Sequence, residues 1–172
     1  MTFSELVKSR YSCRKFAPKP VENEKINAII QDAIAAPTAK NVQPVMLWVF
    51  NSPDALAQIK ACTPFQWMED VPVVIAVGGK ADGAFVRPSD NRNFEDVDAA
   101  IVATHILLAV EAQGLGTTWV GFFDTNKVCE AFPDLQGWDL VALFPIGYPA
   151  DDAAPSDRHY IRKNFKDMVK YL

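Results

Sequence analysis

Arg10, Ser12 and Arg14 fall at alternate positions of the segment Arg10-Tyr11-Ser12-Cys13-Arg14-Lys15-Phe16. Alternate residues of an extended chain share a face, so two guanidiniums and a hydroxyl point one way while Tyr11, Cys13 and Lys15 point the other. Guanidinium forks and hydroxyl donors are the groups that bind a phosphate ester. The same cluster would also arise as a solvated basic loop with incidental pairing. Two unusual stretches accompany it, Ala36-Pro37-Thr38-Ala39-Lys40-Asn41-Val42-Gln43-Pro44 and Gly114-Leu115-Gly116-Thr117-Thr118-Trp119-Val120-Gly121. The first can be an ordinary helix-terminating loop and the second a helix cap running into a strand. Arg158, Arg162 and Lys163 form a last basic group near the C-terminus, where plain surface charge is the competing reading.

The elements that must position these residues follow from capping and periodicity. Thr2 with Glu5 three residues later predicts a capped helix over 2–9, and the basic segment begins where it ends. Ile26, Ile29, Ile30, Ala33 and Ile34 predict a helix over 23–35 with one buried stripe, stopped by Pro37. Strands are predicted over 45–50, 73–77, 117–120 and 139–147, with a short helix from Pro53 to about 61 and another over 125–132 capped by Asp124 or Thr125. The longest helix is predicted over 94–113; it is apolar on nearly all sides and therefore buried centrally or in an interface. Residues 79–94 read as an irregular surface loop, and the tail after Pro149 as polar.

Composition sets the outer limits. A chain of 172 residues with 49% hydrophobic content fits one ordinary globular domain over 1–172, with helices and strands interspersed as in an α+β fold. The net charge of −4 argues against a general nucleic-acid binder, which needs a cationic surface to displace phosphate counterions. Cys13, Cys62 and Cys129 are odd in number and lack metal-ligand spacing, which disfavours a disulfide scaffold and points to a reducing, cytoplasmic setting. No signal sequence and no membrane-spanning run is expected. Gly114-Leu115-Gly116 is followed by Trp119 where a Rossmann fingerprint needs its third glycine, so a dinucleotide site of that type is not expected.

A flavin mononucleotide makes a consistent demand on these residues. Its phosphate calls for Arg10 and Ser12, and a cation such as Arg14 near the electron-rich N1–C2=O edge would ease reduction. The segment Arg10–Phe16 resembles the N-terminal signature of the nitroreductase family of FMN-dependent oxidoreductases, and the other stretches resemble its later motifs in order and spacing. The resemblance implies an α+β nitroreductase-like fold, a central mostly antiparallel sheet flanked by helices, with FMN at a homodimer interface. It implies that Arg10, Tyr11, Ser12 and Arg14 bind FMN from one subunit. Pro37, Thr38, Ala39 and Asn41 then come from the partner subunit. The main chain at Thr118, Trp119, Gly121 and Phe122 is implied at the N5–O4 edge, with Arg162 first and Arg158 second as phosphate partners. No side chain of the protein is implied as catalytic, since the chemistry sits at flavin N5.

The activity implied is ping-pong transfer of hydride from NADH or NADPH to a small electron acceptor such as a nitroaromatic or quinone. Specialised relatives that dehalogenate, reduce enoates or fragment flavin use the same cradle, and a non-catalytic flavin sensor or carrier would also retain it. A flavin-free interaction module is a weaker reading against intact Arg10, Ser12, Arg14 and Asn41. Two departures from the family pattern concern the acceptor pocket. Val45 stands where many members carry an aromatic residue, and the 62–95 region is short, leaving Phe65, Gln66, Trp67, Phe122 and Phe123 as candidate lining. His105 reads as a hydrogen-bonded core residue, His159 as solvated, and Cys13 as a packed thiol opposite Ser12.

Overall fold

The computed structural model describes residues 1–172. Helix α1 (Phe3–Ser9) opens with the predicted capping box: the Glu5 N–H donates to Thr2 Oγ1 at 3.3 Å and the Thr2 N–H to Glu5 Oε2 at 2.7 Å. Helix α2 (Asn23–Ile34) buries Ile26, Ile29 and Ala33. Ile34, expected inside, ends the helix beside the following loop and rims an open groove with Thr38 and Gln43, so it stays exposed. Strand β1 (Val45–Phe50) leads into α3 (Pro53–Ala61), which has proline in its first turn and the Ser52 hydroxyl capping the Ala55 N–H.

Strand β2 (Val73–Gly79) is buried along its whole length. The expected irregular loop that follows contains a small hairpin, β3 (Val86–Arg87) against β4 (Arg92–Asn93), closed by an Arg87–Asp90 ion pair. Two-residue strands are too short to show a period of two, which is why the sequence pattern missed them. Helix α4 (Glu95–Ala112) runs to Gly114, whose φ of 69° ends it. The expected 117–120 strand is interrupted: β5 covers only Gly116–Thr117, and Val120 rejoins the sheet through a bridge to Leu143. Helix α5 (Thr125–Ala131) starts at Asp124, whose carboxylate accepts from the Asn126 and Lys127 N–H groups. Strand β6 (Asp139–Gly147) completes the set.

The sheet has the order β1-β2-β6-β5, and every pairing in it is antiparallel. Alternation splits its two faces. Val73, Ile75 and Val77 of β2, with Ala142, Phe144 and Ile146 of β6, pack against α2 and α4. Val74, Ala76 and Leu143 face the other way onto Ile59 of α3, Val128 of α5, Met68 and Leu135. Cys13 and Phe16 belong to this second core, so the basic segment hangs from the sheet by two buried side chains. The tail is not uniformly polar, because Tyr160, Ile161, Phe165 and Met168 all lie exposed on it.

Gly116 is the tightest point beside the segment: a Cβ there would lie 2.7 Å from Cys13 Sγ and 2.8 Å from Cys13 Cβ. The expected outcome for Gly116→Ala is a loss of about 1–3 kcal/mol of stability from overpacking, read as a lower urea midpoint with an unchanged slope.

Candidate functional site

Arg10 is the residue at which α1 stops. Its own N–H still bonds the Leu6 carbonyl at 3.1 Å, but its ψ of 126° turns the chain into an extended course. From there the segment is pinned on two sides. The Cys13 N–H donates to the Thr117 carbonyl at 2.9 Å beside the parallel Ser12–Thr117 bridge. Further on, the Ala17 N–H donates to the Tyr148 carbonyl at 2.8 Å and the Ala150 N–H to the Lys15 carbonyl at 3.1 Å. The Gly147-Tyr148-Pro149 turn is itself fixed, because Tyr148 Oη donates to Glu22 and a Cβ at Gly147 would press on Phe16 and Pro72 at 3.1 Å. That hydrogen bond from Tyr148 holds the Glu22 carboxyl below its ordinary range.

With Cys13 buried, the opposite edge faces out as alternation demands. Arg10, Ser12 and Arg14 line one cavity of about 510 Å³ together with Ser156, Arg158, His159 and Arg162, and no apolar residue contributes to its wall. None of the four guanidiniums is within ion-pair distance of a carboxylate; the ion pairs are Lys15–Asp152, Arg87–Asp90, Arg92–Asp96 and Lys127–Asp124. Arg14 Nη1 reaches only the Ser12 carbonyl, at 3.4 Å, and Arg162 Nη1 only that of Ile161, at 2.8 Å. In a chain of net charge −4, four like charges gathered around one concavity without counter-charge repel one another unless an anion joins them. The donor set suits a phosphate ester: planar forks, small hydroxyls and an imidazole.

Thr117, at the end of β5, and Thr118 just beyond it run beside this edge, and their buried hydroxyls have no hydrogen-bond partner within the chain. Trp119 packs edge-on to Phe144, with ring centroids 5.4 Å apart. Gly121 is open: a Cβ there would meet nothing closer than Trp119 Nε1 at 3.8 Å, so the chain's own packing does not demand glycine. Phe122 is 70% exposed and packs against Phe65 at 6.2 Å; with Phe123 it walls a separate cavity of about 400 Å³ beside Cys62, Asp124 and Lys127. Gln66 and Trp67 do not line that cavity; Trp67 stacks on Phe16 and Phe65 instead.

The family model for the nitroreductase family matches residues 7–63 and 59–148, most of the chain. The chain belongs to the nitroreductase family. A nitroreductase family protein of Clostridium difficile has the same fold, with a TM-score of 0.89 at 30% identity over 99% of this chain and 98% of that one. A Methanothermobacter thermautotrophicus protein, provisionally named NADH dehydrogenase/NAD(P)H nitroreductase, is 28% identical over 167 residues, spanning 91% of this chain and 82% of its own. A provisionally named nitroreductase of Exiguobacterium sibiricum, solved in complex with FMN, superposes with a TM-score of 0.87 at 22% identity, covering 100% of this chain and 98% of that one.

The nitroreductase motifs do not all meet within one chain. The first and the C-terminal basic group share the arginine cavity, and the third runs alongside, but Pro37, Thr38, Ala39 and Asn41 do not line it. They form a separate loop in which Lys40, Asn41 and Gln43 all have positive φ. Ser156 and His159 join the cavity without any signal in the sequence beyond their nearness to Arg158; Lys163 is not part of it. Cys13 is fully buried with Sγ 3.2 Å from the Lys15 carbonyl, as expected, whereas His105 is hydrogen-bonded, with Nδ1 3.1 Å from the Asp32 carbonyl, but half-buried on the α2–α4 surface instead of in the core. No helix is long and apolar enough to cross a membrane.

Tyr11, on the inward side of the segment, has its phenol pushed up to about 12 by burial first, with Cys13 and Glu111 adding to it. An unfolded phenol ionises near 10, so this contribution to stability is complete below about pH 10 and is lost as pH rises toward 12. Alkaline titration followed by ultraviolet absorbance should show one late tyrosine transition that Tyr11→Phe removes.

Proposed function

We propose that this chain is an NAD(P)H-dependent oxidoreductase that uses FMN to reduce small organic acceptors, working as a homodimer. The observation that carries the reading is the arginine cavity: Arg10, Ser12 and Arg14 converge with Arg158 and Arg162 on a concavity without carboxylates. Arg10, Ser12, Arg158 and Arg162 hold the phosphate, with Arg162 as its principal partner and His159 and Ser156 as additional donors. Arg14 lies one alternation further along the strip and is assigned to the ring, where a fixed cation stabilises negative charge developing near N1. FMN supplies the hydride chemistry at N5, so the protein needs no nucleophile or acid–base pair of its own.

Backbone N–H groups at Thr118, Trp119, Gly121 and Phe122 orient the ring edge, and the unpacked face of Gly121 allows main chain to approach a flat ligand. Pro37, Thr38, Ala39 and Asn41 complete the site from the partner subunit, which accounts for their distance from the arginine cavity of their own chain. Exposed Phe3, Val7 and Ile34, with the bare apolar residues of the tail, supply surface for that association. Small size around residues 62–95 leaves Phe65, Phe122 and Phe123 to receive the acceptor, in keeping with planar aromatic or quinonoid compounds. The three free cysteines, Cys13, Cys62 and Cys129, support a reducing, cytoplasmic setting for it.

If donor and acceptor occupy one face of the ring in turn, initial rates against each substrate at several fixed levels of the other give parallel double-reciprocal lines with NADH or NADPH. Intersecting lines would show that both substrates bind together and would overturn the alternating scheme.

A further inference from the structure

Asp98 is 1% exposed, although it sits in the first turn of α4 among Ala99, Val102 and other apolar residues. A buried carboxylate is costly unless its oxygens find donors. Asp98 Oδ1 accepts the Ala39 N–H at 2.9 Å, across 59 residues of sequence, and Oδ2 has no partner at all. The helix N-terminus eases the charge but does not supply that partner. Packing alone would be better served by an apolar side chain at this position.

What Asp98 holds is the loop from Pro37 to Pro44. Lys40, Asn41 and Gln43 adopt φ values of 51°, 55° and 57°, a region that Asn visits readily but that is costly for Lys40 and Gln43 unless their surroundings hold them there. Inside the loop, Gln43 bonds back to Thr38 Oγ1 at 3.0 Å and to Asn41 Oδ1 at 3.1 Å. Asp98 is the one side chain from elsewhere in the fold that hydrogen-bonds to residues 37–43. Its own place is rigid, because the first turn of α4 is wedged against the end of β2: a Cβ on Gly79 would come within 2.8 Å of the Glu95 carbonyl.

We propose that Asp98 is a positioning residue for the flavin site, setting the strained conformation in which Thr38 and Asn41 meet the FMN bound mainly by the other subunit. It does not touch the cofactor. It acts through the Ala39 N–H, fixing the start of the loop so that binding need not order it. This rests on the reading of residues 37–41 as part of the flavin site.

The test uses the full-length dimer with Asp98→Ala, Asp98→Asn and, as a control for general loss of stability, Val128→Ala in the core on the opposite face of the sheet. Two quantities are measured: the FMN dissociation constant, by fluorescence quenching on adding FMN to apoprotein, and amide exchange of residues 36–44 without flavin. Asp98→Ala should raise the constant tenfold or more and speed loop exchange by a similar factor. Asp98→Asn, which keeps an acceptor for the Ala39 N–H, should stay within threefold of wild type on both, and Val128→Ala should leave the FMN constant within threefold. Wild-type affinity and loop exchange in Asp98→Ala would overturn the proposal, as would an Asn variant as impaired as the Ala one or an equal loss of FMN affinity in Val128→Ala. A wild-type chain that takes up no FMN would instead remove the flavin reading on which the proposal stands.

Discussion

The contact of Cys13 with Gly116 governs the geometry on which everything else in this molecule relies. A fully buried thiol at the centre of a short extended segment needs a neighbour without a side chain, and Gly116 supplies it at the edge of the sheet. Phe16, three residues on, is the second anchor, held by the turn at Gly147. Once Cys13 points inward, the alternation of a strand sends Ser12 and Arg14 outward, and the end of α1 brings Arg10 to the same side. No side chain in the arginine cavity has to be held there by a salt bridge, and none is. Backbone pairing on both flanks fixes the strip instead.

That arrangement separates the cost of assembling charge from the cost of building the fold. The hydrophobic cores on the two faces of the sheet contain none of the arginines, so repulsion among Arg10, Arg14, Arg158 and Arg162 is confined to a solvent-facing concavity. Repulsion of this kind becomes binding energy when a multiply charged anion enters. Arg158 and Arg162 come from a C-terminal stretch whose hydrogen bonds run within itself, whereas Arg10 and Arg14 flank the Ser12–Thr117 bridge to the sheet.

Much of this was legible in the sequence where a strong local rule acts. Thr2 and Glu5 mark the start of α1, Pro53 and the Asp124-Thr125 pair mark two more helices, and the apolar runs at 45–50 and 73–77 mark β1 at the sheet edge and β2 beside it. Alternation accounts for Ser12 and Arg14 facing out around buried Cys13, but it fails beyond them: Lys15, expected inward, is exposed and paired with Asp152, and Phe16 turns into the core. The rest depends on tertiary contacts that leave no periodic trace. The β3–β4 hairpin is too short for a pattern, and the β5 strand breaks because Thr118 and Trp119 leave the ladder before Val120 returns. Ile34 satisfies the helical stripe yet faces an open groove, and Asp98 reads as an ordinary helix N-terminal acid until the fold carries Ala39 to it. The residues 37–41 were readable as a motif, but their separation from the arginine cavity is a fact of the folded chain.

The central claim is that this nitroreductase family chain holds a redox-active FMN, and an absorbance spectrum of the purified protein, reconstituted with FMN and titrated without oxygen with NADH and then NADPH, tests it most directly. The account predicts bands of bound oxidised flavin that bleach on adding one or both nicotinamides and return when a quinone is admitted. A chain that takes up no FMN, or that binds it in a form no nicotinamide can reduce, would contradict it.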